Sequence, residues 1–497
     1  MTNDSRQRAL ALIQEYGWNN TSFQTLEPFF EYWFDPSGPG VVAFYRAWGT
    51  WVVAGAPICP LERIVECALA FAAAAKEAGY RVCFFGTAAR FAEQISPQAT
   101  HVKIGEQPCW DPTRWDGDAK RMKLIGSQKR RAERKGLTVR QVSPQVMNDS
   151  HSKERQQAEQ VIIDWQRAHK MATMSFVVHL DAFSFASERR YFLAERKSAK
   201  SGASEAVGFL SLVPIYARDG FFLEDLIRTP TAPNGTTEAL IDVAMQSLTA
   251  EGKTYATLGL SPLRNTQQSH YPQPRWAIVI FRVSRRLFDP LYSFEGLSAF
   301  KSKLRPEEWE EIYVTGIPKF NFNMLIAVLM AFVRTHPTRF AFDTLVRLVT
   351  VNMRRMRDRT WQRLSYGLAA TLGLWIGLLS RSDGAFWFGS EAMLQSWIVF
   401  DCVMVGVLLA LGYGAARNAR FLRWLAPCAL LAVLGDVGLT AWQAATFSTN
   451  HPWNALHIAA WLIALSGPLV ASIFLLCFVA QFSVRSDKRL RDRRLKA

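Results

Sequence analysis

Residues 220–235 read GFFLEDLIRTPTAPNG, and residues 253–263 further along read KTYATLGLSPL. The apolar run, the Pro/Asn/Gly turn, the helical periodicity of residues 236–250 and the second apolar run predict strand, turn, helix and strand. This order is typical of an α/β fold. The first strand also carries Glu224, Asp225 and Arg228. Charges inside an apolar strand are costly unless they are paired or used, so this stretch is the first candidate for a functional site.

The spacing of these charges raises a geometric question. Side chains alternate along a regular strand, so Glu224 and Arg228 would share one face and Asp225 would lie on the other. Asp225 and Arg228 can meet only if the strand bulges or ends between them. The turn that follows leads through Asn234 and Gly235 to a helix N-terminus, where backbone N–H groups can bind phosphate or carboxylate.

The chain has an α/β part up to about residue 320 and an apolar part from about residue 364. The formal net charge of +16 favours phosphate-bearing partners, either nucleic acid or anionic lipid. Residues 206–214 and 276–283 are predicted as strands and residues 297–303 as a helix. The predicted segments are two α/β units, an amphipathic and basic juxtamembrane segment, membrane helices and a basic tail, at 1–145, 146–316, 317–362, 363–483 and 484–497.

The ligand-forming residues give little sign of a metal or disulfide framework. The seven cysteines contain no CxxC pair and three lie in hydrophobic stretches, so they are interpreted as reduced apolar residues. The eight histidines show no HxxxH or HExxH spacing, and no metal or cofactor is predicted. The N-terminus MTNDSRQRAL has no apolar h-region, so no cleavable signal peptide is expected.

Residues 114–140 are strongly basic, and the central segment KRMKLIGSQKRRAERKG is predicted to be a helix that Gly136 ends. A solvated helix face is the ordinary interpretation, but the acidic residues are too few to balance the charge. We therefore expect a contact with a phosphate backbone, of RNA or of lipid headgroups. The residues predicted to make it are Lys123, Lys129, Arg130, Arg131, Arg134 and Lys135.

Four candidate membrane spans lie at about 364–380, 393–413, 425–444 and 455–482. Basic residues are concentrated before the first span, between the second and third, and after the fourth. The positive-inside rule therefore places the soluble part and the C-terminal tail in the cytoplasm. Asp401 and Asp436 lie within spans, where acids are expensive and serve either function or helix–helix hydrogen bonds. Residues 317–350 are amphipathic and could lie on the membrane surface or pack on the soluble part.

Six pieces of the soluble part, in order, carry a family resemblance. They are VVAFYRAWGTWVVAGAPICP at 41–60, VKIGEQ at 102–107, KLIGSQKRRAERKG at 123–136, FLEDLIRTPTAPNG at 222–235, LGLSPL at 258–263 and GLSAFKSKLRPEEW at 296–309. The set resembles the C-terminal synthase domain of the phosphatidylglycerol lysyltransferase (multiple peptide resistance factor) family. The resemblance implies a tandem GNAT-like fold in a bacterial inner-membrane protein. It also implies an enzyme that moves an aminoacyl group from aminoacyl-tRNA to a lipid hydroxyl.

The resemblance also implies roles for individual residues. The D-x-x-R motif of the family falls on Asp225 and Arg228, and the lysine of its FKxKF-like motif falls on Lys301. Asp225 would bind the α-ammonium of the donor or orient the acceptor hydroxyl. Arg228 would hold phosphate or stabilise the oxyanion, and Lys301 would contact tRNA or lipid phosphate. The residues expected to bind substrate are Glu224, Asn234, Gly235, Ser261, Lys103 and Glu106.

Two other functions stay open at this point. The first is a GNAT-like N-acyltransferase that uses acyl-CoA, although the loop TPTAPNG lacks the Q/R-x-x-G-x-G/A pattern that holds CoA pyrophosphate in such enzymes. The second is a membrane-bound protein whose GNAT-like part only binds a ligand. The order of the chain also departs from the family pattern, because membrane helices usually precede the synthase domain. Lipid flipping and lysine as the transferred residue are therefore not implied.

Overall fold

The computed structural model of the protein forms two compact units, residues 1–344 and 345–497. The first unit is an α/β domain and the second is a set of helices. The residues that the structure describes are 3–168, 181–197, 204–288, 294–333, 358–417, 419, 421–450 and 455–494. The predicted juxtamembrane segment 317–362 lies partly outside these ranges.

The first unit contains one continuous sheet of twelve strands. In chain order, β1 to β12 are Glu31–Phe34, Val41–Ala47, Thr50–Ala54, Arg81–Ala88, Thr100–Trp110, Leu137–Val142, Arg190–Lys197, Ser204–Ile215, Gly220–Arg228, Tyr255–Thr257, Ser261–Pro262 and Glu308–Ile317. Across the sheet the order is β1-β2-β3-β4-β12-β5-β10-β9-β8-β7-β6, and the short β11 pairs with β5.

This order corrects the boundary drawn at residue 145. The late strand β12 lies between β4 and β5, and β6 lies at the far edge beside β7. Each half of the sheet thus takes a strand from the other part of the sequence. Such exchange depends on contacts between residues far apart in the chain, which local periodicity does not report.

The helices of the first unit cover both faces of the sheet. In chain order, α1 to α10 are Asn3–Tyr16, Ile64–Glu77, Ala89–Ile95, Ala119–Glu133, Pro144–Asn148, Lys153–Ala168, Thr236–Ala250, Arg275–Phe288, Phe294–Lys303 and Phe322–Val333. In the second half of the sheet, α4, α7 and the end of α9 share one apolar core, and α6 packs on the opposite face. In the first half, α8 and α10 share a core on one face and α2 packs on the other.

Several predicted elements are confirmed. The helix at 236–250 is α7, and the basic helix is α4, which ends before Gly136 at a φ of +78°. The predicted strand at 276–283 is wrong, because these residues belong to α8. β-branched and aromatic residues favour strands in isolation, but Ala277 and Phe281 recur at helical spacing and are buried against the core that contains α10.

The second unit contains the helices α11 to α15, at Asp358–Leu379, Gly384–Phe388, Glu391–Arg417, Leu422–Asn450 and Ala455–Arg494. Among the described residues, three stretches are long and apolar enough to cross a membrane, at 391–417, 422–447 and 457–479. The predicted span at 364–380 is not confirmed. Its helix α11 begins with charged residues, and the apolar part from Leu364 to Leu379 is about 24 Å long against the roughly 30 Å of a bilayer core. The predicted placement of both the soluble part and the C-terminal tail in the cytoplasm requires an even number of spans, so it is not confirmed either.

The two predicted intramembrane acids lie on these helices. Asp401 is buried on α13, and Asp436 on α14 accepts a hydrogen bond from Thr440 at 3.0 Å. The Thr440 contact lies within one helix, so it is not the helix–helix hydrogen bond considered in the sequence analysis.

Gly235 fixes the junction between α4 and α7. Its φ is +97°, and a Cβ there would overlap the backbone carbonyl oxygen of Gln128 on α4. We predict that Gly235→Ala lowers the free energy of unfolding by about 2–5 kcal/mol, through backbone strain plus overpacking. Gly79→Ala is the matched control, since its φ is +80° but no atom lies within 4 Å of the added Cβ. Thermal unfolding in detergent measures both, and equal losses would show that the α4 contact contributes nothing.

Candidate functional site

The strand β9 contains a bulge at Glu224. Ser211 of β8 is opposite Asp225 and Leu212 is opposite Leu223, which leaves Glu224 without a partner in the ladder. Leu223 and Leu226 both pack in the core with α7, although a regular strand would place them on opposite faces. The bulge therefore turns Asp225 to the same face as Glu224, away from α7.

This bulge separates Asp225 from Arg228 instead of joining them. Ile227 packs in the core with α6, so alternation returns Arg228 to the face of Leu226, where it is exposed. The predicted sharing of one face by Glu224 and Arg228 is also overturned. The acid pair and the arginine of the D-x-x-R motif lie on opposite faces of the sheet.

The two acids are held by buried partners. Arg189 donates to Glu224 at 2.6 Å, and Gln24 donates to its other oxygen at 3.0 Å. The Ser211 hydroxyl donates to Asp225 at 2.7 Å. Arg189 is almost fully buried and stacks over Phe23, so the N-terminal segment closes this face.

Further carboxyl groups make the site net acidic. We call Glu27, Asp181, Glu224 and Asp225 the acid cluster. Burial raises the pKa of Glu27 to about 8, and the charges of Asp181 and Glu224 add to this effect. Burial also raises the pKa of Asp225 to about 7, with Glu224 next in importance and Arg189 opposing. Two carboxyl groups thus retain protons near neutral pH, which a bound cation would displace.

The strands β9 and β10 diverge beside the acid cluster. Their parallel pairing ends at Phe222 and Thr257, after which β9 continues in contact with β8. We call this place the divergence point. Gly259 has a φ of +69° here, and a Cβ would press on the Phe222 ring.

Lys301 holds the other side of the divergence point. Its ammonium donates to the carbonyl oxygens of Leu258, Gly259 and Leu260 at 2.8, 2.8 and 2.9 Å. These three bonds use every hydrogen of the ammonium. Burial lowers the pKa of Lys301 to about 7. The expected contact of Lys301 with tRNA or lipid phosphate does not match this arrangement, in which the side chain fixes the LGLSPL segment.

Lys103 and Glu106 belong to a separate buried ion network. Lys103 donates to Glu106 and to Glu311, each at 2.8 Å, and to a backbone carbonyl. Arg264 and Asn265 donate to the other oxygen of Glu106. Both expected substrate ligands therefore have internal partners. Ser261 is buried beside this network, and its hydroxyl has no hydrogen-bond partner in the described part of the chain.

The basic helix α4 is exposed along most of its cationic face. Lys129 is the exception, because it is half-buried and pairs with Asp242 at 2.7 Å. The turn before α7 contacts the inner side of α4 at Gly235, and Asn234 is exposed there. The exposed members of the predicted phosphate-binding set are Lys123, Arg130, Arg131, Arg134 and Lys135.

The sequence-based prediction found Glu224 and Asp225 but missed the residues that complete their environment. Arg189, Gln24 and Glu27 lie in segments with no motif of their own. One signal was available: two adjacent acids between Leu223 and Leu226 break the alternation, as a bulge does. Among the described residues, no group of His, Cys, Asp and Glu is arranged to hold a metal ion.

A single sheet with a bulged strand next to diverging parallel strands is the arrangement of a GNAT-like fold. The family model described as "Phosphatidylglycerol lysyltransferase, C-terminal" matches residues 10–316. Because this match covers more than half of the chain, the protein belongs to that family, and the resemblance seen in the sequence is confirmed.

Individual relatives agree with this assignment. The phosphatidylglycerol lysyltransferase of Bacillus subtilis (strain 168) is 36% identical over 118 residues, which are 23% of this chain and 13% of that protein. A C-terminal domain assigned to a lysylphosphatidylglycerol synthetase of Agrobacterium fabrum aligns with a TM-score of 0.55 at 19% identity, over 66% of this chain and 96% of that one. The L-PGS structure from Bacillus licheniformis gives 0.53 at 20%, over 65% and 95%. The two structures support the fold.

The raised pKa of Asp225 makes a prediction about stability. The unfolded state ionises this carboxyl near pH 3.9, whereas the folded state keeps the proton to about pH 7. Between these values the folded state binds more protons, so stability falls as pH rises. Asp225→Asn should remove this loss. Its free energy of unfolding relative to that of the wild type should therefore increase by roughly 2–3 kcal/mol between pH 5 and pH 7.

Thermal unfolding at the two pH values measures the difference. Asp219→Asn is the matched control, because Asp219 is exposed and its φ of +45° suits asparagine. An equal destabilisation by Asp225→Asn at both pH values would instead identify Asp225 as a charged structural partner of Arg189.

Proposed function

We propose that the protein transfers an aminoacyl group from aminoacyl-tRNA to the hydroxyl group of a phosphatidylglycerol-type lipid. The observation that carries the proposal is the buried acid cluster at a bulge beside the divergence point, with an exposed basic helix on the opposite face. A donor with an ammonium group at one end and phosphates at the other matches these two charges. Family membership supports lipid aminoacylation as the general activity.

The acid cluster is suited to the α-ammonium of the aminoacyl group. Its four carboxyl groups lie near two arginines, Arg189 and Arg6, and two of the carboxyl groups retain protons near neutral pH. The site therefore gains negative charge when a bound cation displaces those protons. A buried cation gains stability from such a site because no water screens the interaction. One oxygen of Asp225 accepts from the Ser211 hydroxyl, and within the described ranges no residue donates to its second oxygen, which we assign to the ligand. We assign Glu224 and Asp225 to ammonium binding.

The transfer itself needs positioning more than covalent catalysis. The lipid hydroxyl oxygen forms a new bond to the aminoacyl carbonyl carbon, and the ester bond to the tRNA ribose breaks. The proton leaves the lipid hydroxyl and ends on the ribose oxygen. One ester replaces another, so orientation and electrostatic stabilisation can supply most of the rate enhancement. In this proposal Glu224 and Asp225 position the donor by binding its α-ammonium group.

The acyl-CoA alternative is less favoured by the geometry. In GNAT-type enzymes the CoA pyrophosphate binds at the helix N-terminus that corresponds to the start of α7. Here the backbone of α4 lies directly against Gly235 at this terminus. A pyrophosphate would compete with Gln128 for the same space.

The basic helix α4 supports tRNA as the molecule that carries the aminoacyl group. Lys123, Arg130 and Arg131 are exposed on α4, and Arg134 and Lys135 are exposed directly after its end. The only acid on α4 is Glu133. Such a surface binds a phosphate backbone without reading its sequence. We further propose that the soluble domain faces the cytoplasm of a bacterial cell, since charged tRNA is present there, and that the apolar helices anchor the protein in the inner membrane.

The activity prediction uses the full chain reconstituted in phosphatidylglycerol vesicles with a labelled mixture of aminoacyl-tRNAs. The wild type should form an aminoacylated lipid, detected by mass spectrometry, and RNase should abolish the product. Asp225→Asn should reduce the rate at least about 100-fold, because the ammonium loses its charged partner in a buried site.

Asp219→Asn is the control for this experiment and should keep the wild-type rate. A product that resists RNase and depends on acyl-CoA would favour the N-acyltransferase. No lipid product from folded wild-type protein with any aminoacyl-tRNA would favour a ligand-binding protein and end the proposal.

The role of α4 is tested by salt dependence. Replacing Arg130, Arg131 and Arg134 by alanine should raise the KM for aminoacyl-tRNA. It should also reduce the slope of log KM against log salt concentration by about 2–3, one counterion for each lost phosphate contact. Arg140→Ala is the control, because Arg140 is already paired with Glu195 and Glu154. An unchanged slope would show that this helix faces lipid or solvent.

A further inference from the structure

The helices α8 and α10 expose more apolar surface than the first unit covers. They lie together on one face of the sheet, where Trp276 of α8 stacks on Phe320 just before α10 and meets Phe322 edge-on. Single exposed apolar residues are ordinary, but a contiguous apolar surface on two neighbouring helices marks an interaction site.

The helix α10 is apolar on nearly every side. Its inner side packs Ala327, Val328 and Ala331 into the core. Its outer side carries Phe322 and Leu329, which are 53% and 56% exposed. A helix that is hydrophobic all round is normally buried, so the outer side requires a second apolar environment.

The helix α8 shows the same excess. Its buried residues Ala277 and Phe281 occupy a narrow strip, whereas its apolar residues cover an arc of about 260° at 100° per residue. Val279 and Val283 in the uncovered part of the arc are 54% and 48% exposed. The apolar face of α8 therefore extends beyond the part that packs in the core.

Cations border this apolar surface. On α8, Arg275 and Arg282 are exposed and lie beside Val279 on the helical wheel. Lys319 is exposed just before α10. An apolar face edged by Lys and Arg is the pattern of a helix that lies in the interface of an anionic membrane.

We infer that the outer faces of α8 and α10 form a membrane-docking surface that inserts into the interface of a bilayer containing anionic phospholipid. The surface is defined by Val279, Val283, Phe322 and Leu329, with Arg275, Arg282 and Lys319 at its border. With twelve residues, α10 is about 18 Å long, too short to cross a bilayer core of roughly 30 Å, so it lies along the surface.

The position of α10 in the chain favours a bilayer over a soluble partner. It is the last described helix of the first unit, and the helices of the second unit follow from residue 358. A domain on the same chain as three apolar helices that are long enough to span a membrane is held near a lipid surface in any case. Docking then needs no additional partner, and effective concentration favours it.

The test uses the full chain in vesicles, with single cysteines that carry an environment-sensitive fluorophore. The exposed Cys402 and Cys428 are first replaced by alanine, since the other five cysteines are buried. Val279→Cys and Leu329→Cys report on the proposed surface. Leu61→Cys is the matched control, because Leu61 is 40% exposed and lies just before α2, which packs on the opposite face of the sheet.

In vesicles that contain phosphatidylglycerol and a quencher on the acyl chain, the labels at 279 and 329 should be blue-shifted. They should also be quenched at least about threefold more than the label at 61, as expected for groups 5–10 Å into the interface. In zwitterionic vesicles the quenching should decrease, because the basic border loses its anionic partners.

Equal quenching at all three sites would overturn the proposal. A blue shift at 279 and 329 without quenching by lipid would assign the surface to a protein contact, including a second copy of the chain, and would overturn it too. Quenching that is identical in anionic and zwitterionic vesicles would remove the charged part of the proposal. None of these readouts depends on the transfer reaction, so they stand apart from a failure of the proposed function.

Discussion

One extra residue in β9 determines the character of the whole site. A regular strand would place Asp225 in the apolar core beneath α7, where a carboxyl group has no partner. The bulge at Glu224 turns Asp225 to the other face, where Ser211 and Arg189 are available. The same bulge lies next to the point where β9 and β10 stop pairing, so the acids and the backbone opening occur together. The fold is thereby locally irregular where the chemistry is expected.

The charges on the two faces are segregated. Burying Glu27 and Asp225 close to other carboxyl groups costs stability, and their raised pKa values show where that cost is concentrated. On the opposite face, the Lys301 ammonium donates all of its hydrogen bonds to three carbonyl oxygens, whereas the cations of α4 are exposed to solvent. The internal cation stabilises the fold and the external ones remain available for phosphate. An aminoacyl-tRNA end presents the complementary pattern.

Local patterns predicted much of this fold. Helix α7 and the basic helix α4 follow from periodicity and turn residues. The insertion of β12 between β4 and β5 could not be predicted locally, because it depends on pairing across more than 190 residues. The helix α8 was misassigned because its β-branched residues favour a strand until a neighbouring core selects one helical face.

The site was predictable only in part for a related reason. The acids and the arginine of the D-x-x-R motif are visible in the sequence, but their faces depend on a bulge that a single register shift creates. Arg189, Gln24 and Glu27 come from segments 35, 200 and 197 residues away from Glu224. Lys301, Lys103 and Glu106 were expected at the site with the family resemblance, yet the charge of each has buried partners within the fold.

The central claim is that the acid cluster binds an ammonium group by giving up protons. Isothermal titration of the full-length protein with an α-amino acid amide, which lacks the reactive ester, tests it directly. Measured at pH 7 in two buffers of different ionisation enthalpy, binding should release up to about one proton, because the carboxyl groups with raised pKa values ionise. The release should fall in Asp225→Asn and persist in Asp219→Asn. Binding with no proton release, or an unchanged release in Asp225→Asn, would contradict the account.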